Sequence, residues 1–310
     1  MNYVVIGPTK DNDSYILKPL DSIEELELKY VRTINSPKQF LYPYRIPLVI
    51  WHREGYLYRV EEPFIESMSI AFFCIKPCDA NAIHALDKQL LNEPQDPIYK
   101  KKRMNSLIIV YDCNLQDEYC FCESVDARRP RIYDIWIVPS IDRIYIAVGS
   151  SRGLELLNFI GIERFKELSR EPRIPVLQTQ RIANDKLKNL RYHYDSSKWI
   201  EISKRCLLCG GCTASCPTCI CFDIVESVSP TLNEGSRIRI WTSCVLKSFT
   251  MVAGGRIVRK DREERFKFRY FHKFVFSIDR YGIFLCTGCG RCSAQCPAGI
   301  NIIEVIKSVV

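Results

Sequence analysis

The chain has 310 residues, 47% of them apolar and 26% charged, the balance of an ordinary globular protein long enough to bury a sizeable core. Its formal net charge of +8 raises nucleic acid or acidic lipid as a partner, and its 16 cysteines raise either a disulfide framework or metal ligation. No apolar run approaches the roughly 18 residues of a membrane helix. The start, Met1-Asn2-Tyr3-Val4-Val5-Ile6-Gly7, lacks the charged head and cleavage site of a signal peptide. Metal-binding cysteines in the reducing cytoplasm, with no membrane insertion, are the consistent expectation.

Residues 1–195 alternate short apolar runs with amphipathic segments and read as an α/β or α+β domain. Strands are expected at Tyr3–Ile6, Leu48–Trp51, Ser69–Ile75, Ser106–Tyr111, Asp134–Val138 and Arg143–Val148. Helices are expected at Ser22–Val31, Ala80–Leu91, Gly153–Leu168 and Gln180–Arg191; in the last, Ala183, Leu187 and Leu190 form one apolar stripe. No glycine-rich phosphate loop follows a strand. Cys78 and Cys113 each follow a strand, and Cys120 and Cys122 come shortly after. Neighbouring strand ends would bring these four to one corner, as ligands of a third [4Fe–4S] cluster or of structural zinc. Burial of cysteine as a small hydrophobe is the alternative, and it is the reading for Cys74 inside its apolar strand.

Residues 196–310 carry the strongest signal. Cys206-Leu207-Leu208-Cys209-Gly210-Gly211-Cys212-Thr213-Ala214-Ser215-Cys216-Pro217 returns as Cys286-Thr287-Gly288-Cys289-Gly290-Arg291-Cys292-Ser293-Ala294-Gln295-Cys296-Pro297. Both read C-x2-C-x2-C-x3-C-P, the run of two-cluster ferredoxins, in which the fourth Cys ligates the other cluster. Cys206, Cys209 and Cys212 therefore pair with Cys296, and Cys286, Cys289 and Cys292 with Cys216, around two [4Fe–4S] clusters. Each oxidised cube with its thiolates carries about −2, so the basic excess balances the cofactors and nucleic acid is not expected.

Cys219, Cys221 and Cys244 remain, as ligands of an open cluster capable of sulfur chemistry or as thiols lining the lobe. The basic, aromatic stretch Arg256 to Phe274 reads as a helix with its aromatic stripe inward and its basic residues outward, supporting the clusters or docking an acidic partner. Arg291 would add positive charge beside the second cluster. Asn301–Val310 suits a helix docked over that cluster.

The chain resembles the iron–sulfur beta subunits of cytoplasmic NiFe hydrogenases with sulfur reductase activity, the sulfhydrogenases, and the A subunit of anaerobic sulfite reductase. The resemblance rests on Ser36-Pro37-Lys38-Gln39-Phe40-Leu41-Tyr42-Pro43, Lys76-Pro77-Cys78-Asp79-Ala80-Asn81, Cys120-Phe121-Cys122-Glu123-Ser124 and Val148-Gly149-Ser150-Ser151-Arg152-Gly153. It continues in Cys216-Pro217-Thr218-Cys219-Ile220-Cys221-Phe222-Asp223, Ala253-Gly254-Gly255 and Arg269-Tyr270-Phe271-His272-Lys273-Phe274. It implies a mostly α-helical two-cluster ferredoxin lobe. It also implies a non-catalytic electron-transfer subunit between a flavin-bearing, NAD(P)H-linked subunit and a catalytic hydrogenase or sulfur/sulfite reductase subunit. It favours the third [4Fe–4S] cluster at Cys78, Cys113, Cys120 and Cys122. The chain departs from the family at Val125-Asp126-Ala127-Arg128-Arg129, at Thr242 and at Arg256-Ile257. The competing function is an enzyme reducing sulfur compounds at an open site near Cys219, Cys221 and Cys244.

Overall fold

In the computed structural model, which describes residues 3–64, 68–161 and 181–310, a mixed α/β region is followed by a mostly helical one. The first region contains β1 (Tyr3–Asp11), β2 (Ser14–Pro19), α1 (Lys38–Leu41), β3 (Arg45–Glu54), β4 (Leu57–Glu61), β5 (Ser69–Ile75), α2 (Pro77–Leu90), α3 (Pro97–Met104), β6 (Ser106–Tyr111), β7 (Ile135–Pro139), β8 (Ile144–Val148) and α4 (Ser151–Ile160). The second contains α5 (Asn184–Asn189), α6 (Lys198–Ser203), α7 (Gly211–Ala214), β9 (Phe222–Val228), β10 (Glu234–Trp241), α8 (Arg262–Phe271), α9 (Ser277–Tyr281), α10 (Arg291–Ala294) and α11 (Ile302–Val309).

One sheet has the order β2-β1-β5-β6-β7-β8, with β1, β5, β6 and β7 parallel and an antiparallel strand at each edge. Its central strands β5 and β6 are nearly continuous apolar runs, as strands covered on both faces must be. A register shift between Phe73 and Ile75 turns Cys74 to φ 59° and frees its carbonyl, which accepts from the Tyr30 hydroxyl at 3.0 Å. Cys74 is core, 3% exposed.

The helix expected at Ser22–Val31 is one 3-10 turn, Ile23–Glu25. Leu26 ends it, and the Glu27 N–H donates to Pro8 O at 2.8 Å, so pairing with β1 outweighs the local amphipathic pattern. The expected Gly153–Leu168 helix appears as α4 and stops at Gly161; positions 162–168, and Gln180 of the next expected helix, lie outside the described residues.

A second sheet, β4-β3-β10-β9, is antiparallel throughout and joins residues 45–61 to 222–241. The register slips opposite Pro47, which has no N–H to donate to the ladder. Much of the insert between the two cysteine runs is thus this hairpin. The remainder is α8, running through one π-helical turn (His272–Phe276) into α9.

The core of the helical region centres on Trp199, Phe266, Tyr270, Phe271 and Phe274, with Phe121 and Val125 reaching in from the first region. Helix α11 starts at Asn301, whose side chain caps Ile303 N, and buries Ile302, Ile303, Val305, Ile306 and Val309 against it. Each such side chain contributes roughly 1.5–3 kcal/mol of gross burial. No described helix is long and apolar enough to cross a membrane.

Candidate iron–sulfur centre

The two cysteine runs fold alike. In each, a left-handed residue (Leu208, φ 52°; Gly288, φ 63°) precedes the second Cys, and a left-handed glycine (Gly210, φ 82°; Gly290, φ 75°) opens a short helix, α7 or α10. The difference between Leu208 and Gly288 has a packing cause. A Cβ on Gly288 would lie 2.4 Å from Cys122 N, and one on Gly290 would lie 2.6 Å from Tyr119 O. The second run is pressed against the 119–122 segment, and Phe121 N donates to Gly288 O at 2.9 Å.

Cys206, Cys209, Cys212 and Cys296 line one cavity of about 50 Å³, with Phe266, Tyr270 and Ile300 on its apolar wall. Cys286, Cys289, Cys292 and Cys216 line a second of about 20 Å³, with Phe121 and Lys273. Cys292, Arg269 and Ile302 belong to both linings, so the cavities share a wall. The fourth Cys of each run faces the cavity of the other.

The basic residues of α8 and the turn after it are not all outward. Arg265, Arg269 and Lys273 recur every fourth residue on the same inward side as Phe266, Tyr270 and Phe274, and are 7%, 5% and 1% exposed. Arg265 donates to the carbonyls of Val245, Arg259 and Lys260. Arg269 Nη2 donates to Cys212 O at 3.0 Å, while its buried Nε has no partner. Lys273 Nζ donates to Thr218 Oγ1 at 2.6 Å, and that hydroxyl lies 3.3 Å from Cys216 Sγ. Lys38, in α1, is 2% exposed; its Nζ donates to Cys219 O at 3.1 Å and sits 3.7 Å from the Trp241 ring centroid.

None of these four cations has a carboxylate within 4.0 Å among the described residues. A buried charge without a counter-ion is costly, and here the nearest candidates for negative charge are cysteines. Burial works against the charged forms of Arg269 and Lys273, but Cys212, Cys292 and Cys216 outweigh it at Arg269, and Cys216 and Cys219 outweigh it at Lys273, so both are held firmly protonated. Anionic clusters with thiolate ligands would supply the charge that these residues require, and the expectation of an outward basic face is corrected because Arg265, Arg269 and Lys273 are buried on the aromatic side. Sequence patterning missed them because lysine and arginine are almost always exposed. The one local signal was the four-residue spacing of Arg265, Arg269 and Lys273.

Arg291 behaves differently. It is 0% exposed and forms a two-pronged pair with Asp79 at 2.7 and 2.9 Å, with further bonds to Thr33 and Asn35. Its charge is cancelled at source, so it ties α10 to α2 and the 33–35 loop rather than adding net positive charge beside a cluster.

Cys78 lies in the first turn of α2, Cys113 just after β6, and Cys120 and Cys122 in the loop that abuts Gly288. Burial is the main reason the Cys122 thiol is pushed up to about 12, and repulsion from Cys113 and Cys120 adds to it. Cys78 is pushed up by burial, then by Asp79, Cys289 and Cys122. The four cysteines thus share one neighbourhood beside the second run. Arg32 links the two, its Nε on Cys289 O at 3.0 Å and its Nη2 on Cys120 Sγ at 3.4 Å. Lys76, 1% exposed, stands over Tyr30 with Cys113 and Cys78 nearby. Among the described residues, no three His, Cys, Asp or Glu side chains converge closely enough to hold a single metal ion, as tetrahedral zinc would require. A four-iron cube sets its thiolates further apart.

Cys219, Cys221 and Cys244 gather at the open end of the β9–β10 hairpin, where Thr242 N donates to Cys221 O at 3.0 Å.

Residues 205–300 match the model of a 4Fe-4S dicluster domain, which carries two [4Fe–4S] clusters. Over 98% of its length the chain is 31% identical to the sulfhydrogenase 2 subunit beta of Pyrococcus furiosus, covering 92% of that protein. No solved structure matches the chain. With its paired cysteine cavities, buried counter-charges and full-length likeness, the chain belongs to the family of iron–sulfur electron-transfer proteins that includes this sulfhydrogenase beta subunit.

Proposed function

We propose that the chain is a non-catalytic, cytoplasmic electron-transfer subunit between a flavin-bearing, NAD(P)H-linked subunit and a catalytic hydrogenase or sulfur/sulfite reductase subunit. The observation that carries this reading is the crossed pair of cavities, one holding Cys206, Cys209, Cys212 and Cys296 and the other Cys286, Cys289, Cys292 and Cys216, sharing a wall and flanked by buried cations that have no carboxylate partner among the described residues. Cys206, Cys209, Cys212 and Cys296 hold one [4Fe–4S] cluster; Cys286, Cys289, Cys292 and Cys216 hold the other. Cys78, Cys113, Cys120 and Cys122 hold a third, pressed against the second by the close approach at Gly288.

A cube with four cysteine ligands supplies outer-sphere, one-electron chemistry and has no open iron for substrate. The chain's own residues then do three things. The thiolates fix position, Arg269 and Lys273 offset negative charge, and Tyr270, Phe266 and Phe121 keep water from the cavity walls. Exposed Cys209 marks one end of the line, and half-exposed Cys113, with its sulfur on Leu115 O, marks the other. The name of the Pyrococcus furiosus relative supports a hydrogenase or sulfur reductase as the catalytic neighbour.

The test uses the anaerobically purified chain without partners. Its clusters should bleach with dithionite and recover with a one-electron acceptor, while hydrogen, polysulfide and sulfite give no turnover. Turnover of any of these by the chain alone would overturn the non-catalytic reading.

A further inference from the structure

Four cysteines lie outside the cluster sets; Cys74 is core, and of Cys219, Cys221 and Cys244 the last two are built as a pair. Cys221 ends the segment before β9 and Cys244 follows β10 by three residues; Phe222 and Trp241 are register partners, and Thr242 N donates to Cys221 O at 3.0 Å. The hairpin thus brings the two residues together at its open end, with the thiol and the backbone N–H of Cys244 close enough to favour a thiolate on Cys221. Cys244 is 2% exposed, with Cys221 half-buried beside it.

The pair lies close to residues of both cavities. Ser243, next to Cys244, donates to Thr213 Oγ1 at 2.8 Å and packs 3.0 Å from the Cβ position of Gly210, in the first run. On the other side, Cys219 contacts Cys216, a proposed ligand of the second cluster. Lys38 and Lys273, two of the cations without a carboxylate among the described residues, both lie near enough to favour a thiolate on Cys221. Thiols in mutual contact are placed for bonding to each other. Ligands of a cube stand apart around it.

We propose that Cys221 and Cys244 are a redox-active dithiol that stores two electrons beside the clusters. On oxidation, the Cys221 thiolate and the Cys244 thiol form one S–S bond and lose one S–H bond. Two electrons leave, one at a time, to the neighbouring oxidised [4Fe–4S] clusters, each reduced by one. The proton leaves to water on the half-exposed Cys221 side. Reversal takes two electrons from reduced clusters and one proton. Such a pair lets a line of one-electron carriers accept or release electrons in twos, as hydride-linked chemistry on either side demands. With Cys244 sealed from solvent, small external thiols are poor exchange partners, and the clusters are the natural ones.

The inference rests on the cluster reading above, and the test separates the two. The full chain with its clusters is poised anaerobically over a range of potentials, quenched in acid, unfolded, alkylated and digested for mass spectrometry. A Cys221–Cys244 linked peptide should appear at the oxidising end with the slope of a two-electron couple. Coulometry should find two more electrons per chain than the cluster signals account for, and Cys221→Ser and Cys244→Ala should each lose those two while keeping wild-type iron. If both cysteines are alkylated at every potential while the iron is intact, this inference fails and the cluster reading stands. Loss of about four irons in Cys221→Ser would make the pair cluster ligands and also overturn it. A wild-type chain without iron fails both. If neither variant loads clusters, the linked peptide in the wild-type chain decides alone.

Discussion

Replacing Lys273 with methionine removes a buried charge while keeping much of the side-chain volume. Its Nζ bonds Thr218 Oγ1 at 2.6 Å, and that hydroxyl lies 3.3 Å from Cys216 Sγ, so the ammonium is within about 6 Å of a proposed ligand of the second cluster. At an effective dielectric of about 20, a unit charge at about 6 Å is worth about 2.8 kcal/mol, or about 120 mV for a one-electron couple. Reduction adds negative charge to the cluster, so losing the ammonium must lower its midpoint. Relaxation of Thr218 and entry of water reduce the effect, and a fall of about 50–120 mV is expected for Lys273→Met. The first cluster, held through Cys296, should move by less. An EPR-monitored redox titration reads both signals. An unchanged or raised midpoint for the second cluster, at wild-type iron content, would refute the claim that Lys273 offsets its charge.

Cys216→Ser should remove or alter the EPR signal of the cluster held by Cys286, Cys289 and Cys292 and spare the other; loss of only the Cys206-set signal would show that the ligation is not crossed. Gly288→Ala combines a left-handed residue, costing roughly 1–2 kcal/mol, with a Cβ 2.4 Å from Cys122 N. It should lower the thermal midpoint and the iron content together. Gly299→Ala is the control, with φ 60° and nothing within 4 Å of its Cβ, and should cost only the same backbone term of roughly 1–2 kcal/mol with iron unchanged. Burial holds the thiols of Cys120 and Cys122 protonated, with values up to about 11 and about 12, so iron must displace their protons. Cluster loading of this set should therefore strengthen as pH rises, by as much as about tenfold per pH unit for each proton released. Iron occupancy measured between about pH 6 and about pH 9 checks this, and a flat profile would refute it.

The two-cluster character of the paired cysteine runs was legible in the sequence because their spacing is local and rigid. Strands β5 and β6 were legible for a similar reason, since an unbroken apolar run has few other places to go. The second sheet was not, because β3 finds its partner β10 almost two hundred residues away, and strands such as β4 and β9 are too exposed to show an alternating pattern. The helix expected from Ser22 gave way to a single hydrogen bond with Pro8, a tertiary contact that propensity cannot register. The buried cations were hidden for a deeper reason. Arg269 and Lys273 sit on the aromatic side of their helix and face cysteine-lined cavities, and under the proposed function the negative charge they meet would belong largely to a cofactor rather than to any residue in the pattern.

Iron and acid-labile sulfide per chain, measured after anaerobic purification, test the central claim most directly. Three clusters predict about 12 of each per chain. Colourless protein with zinc and no labile sulfide, or iron in amounts too small for even one cube, would contradict it.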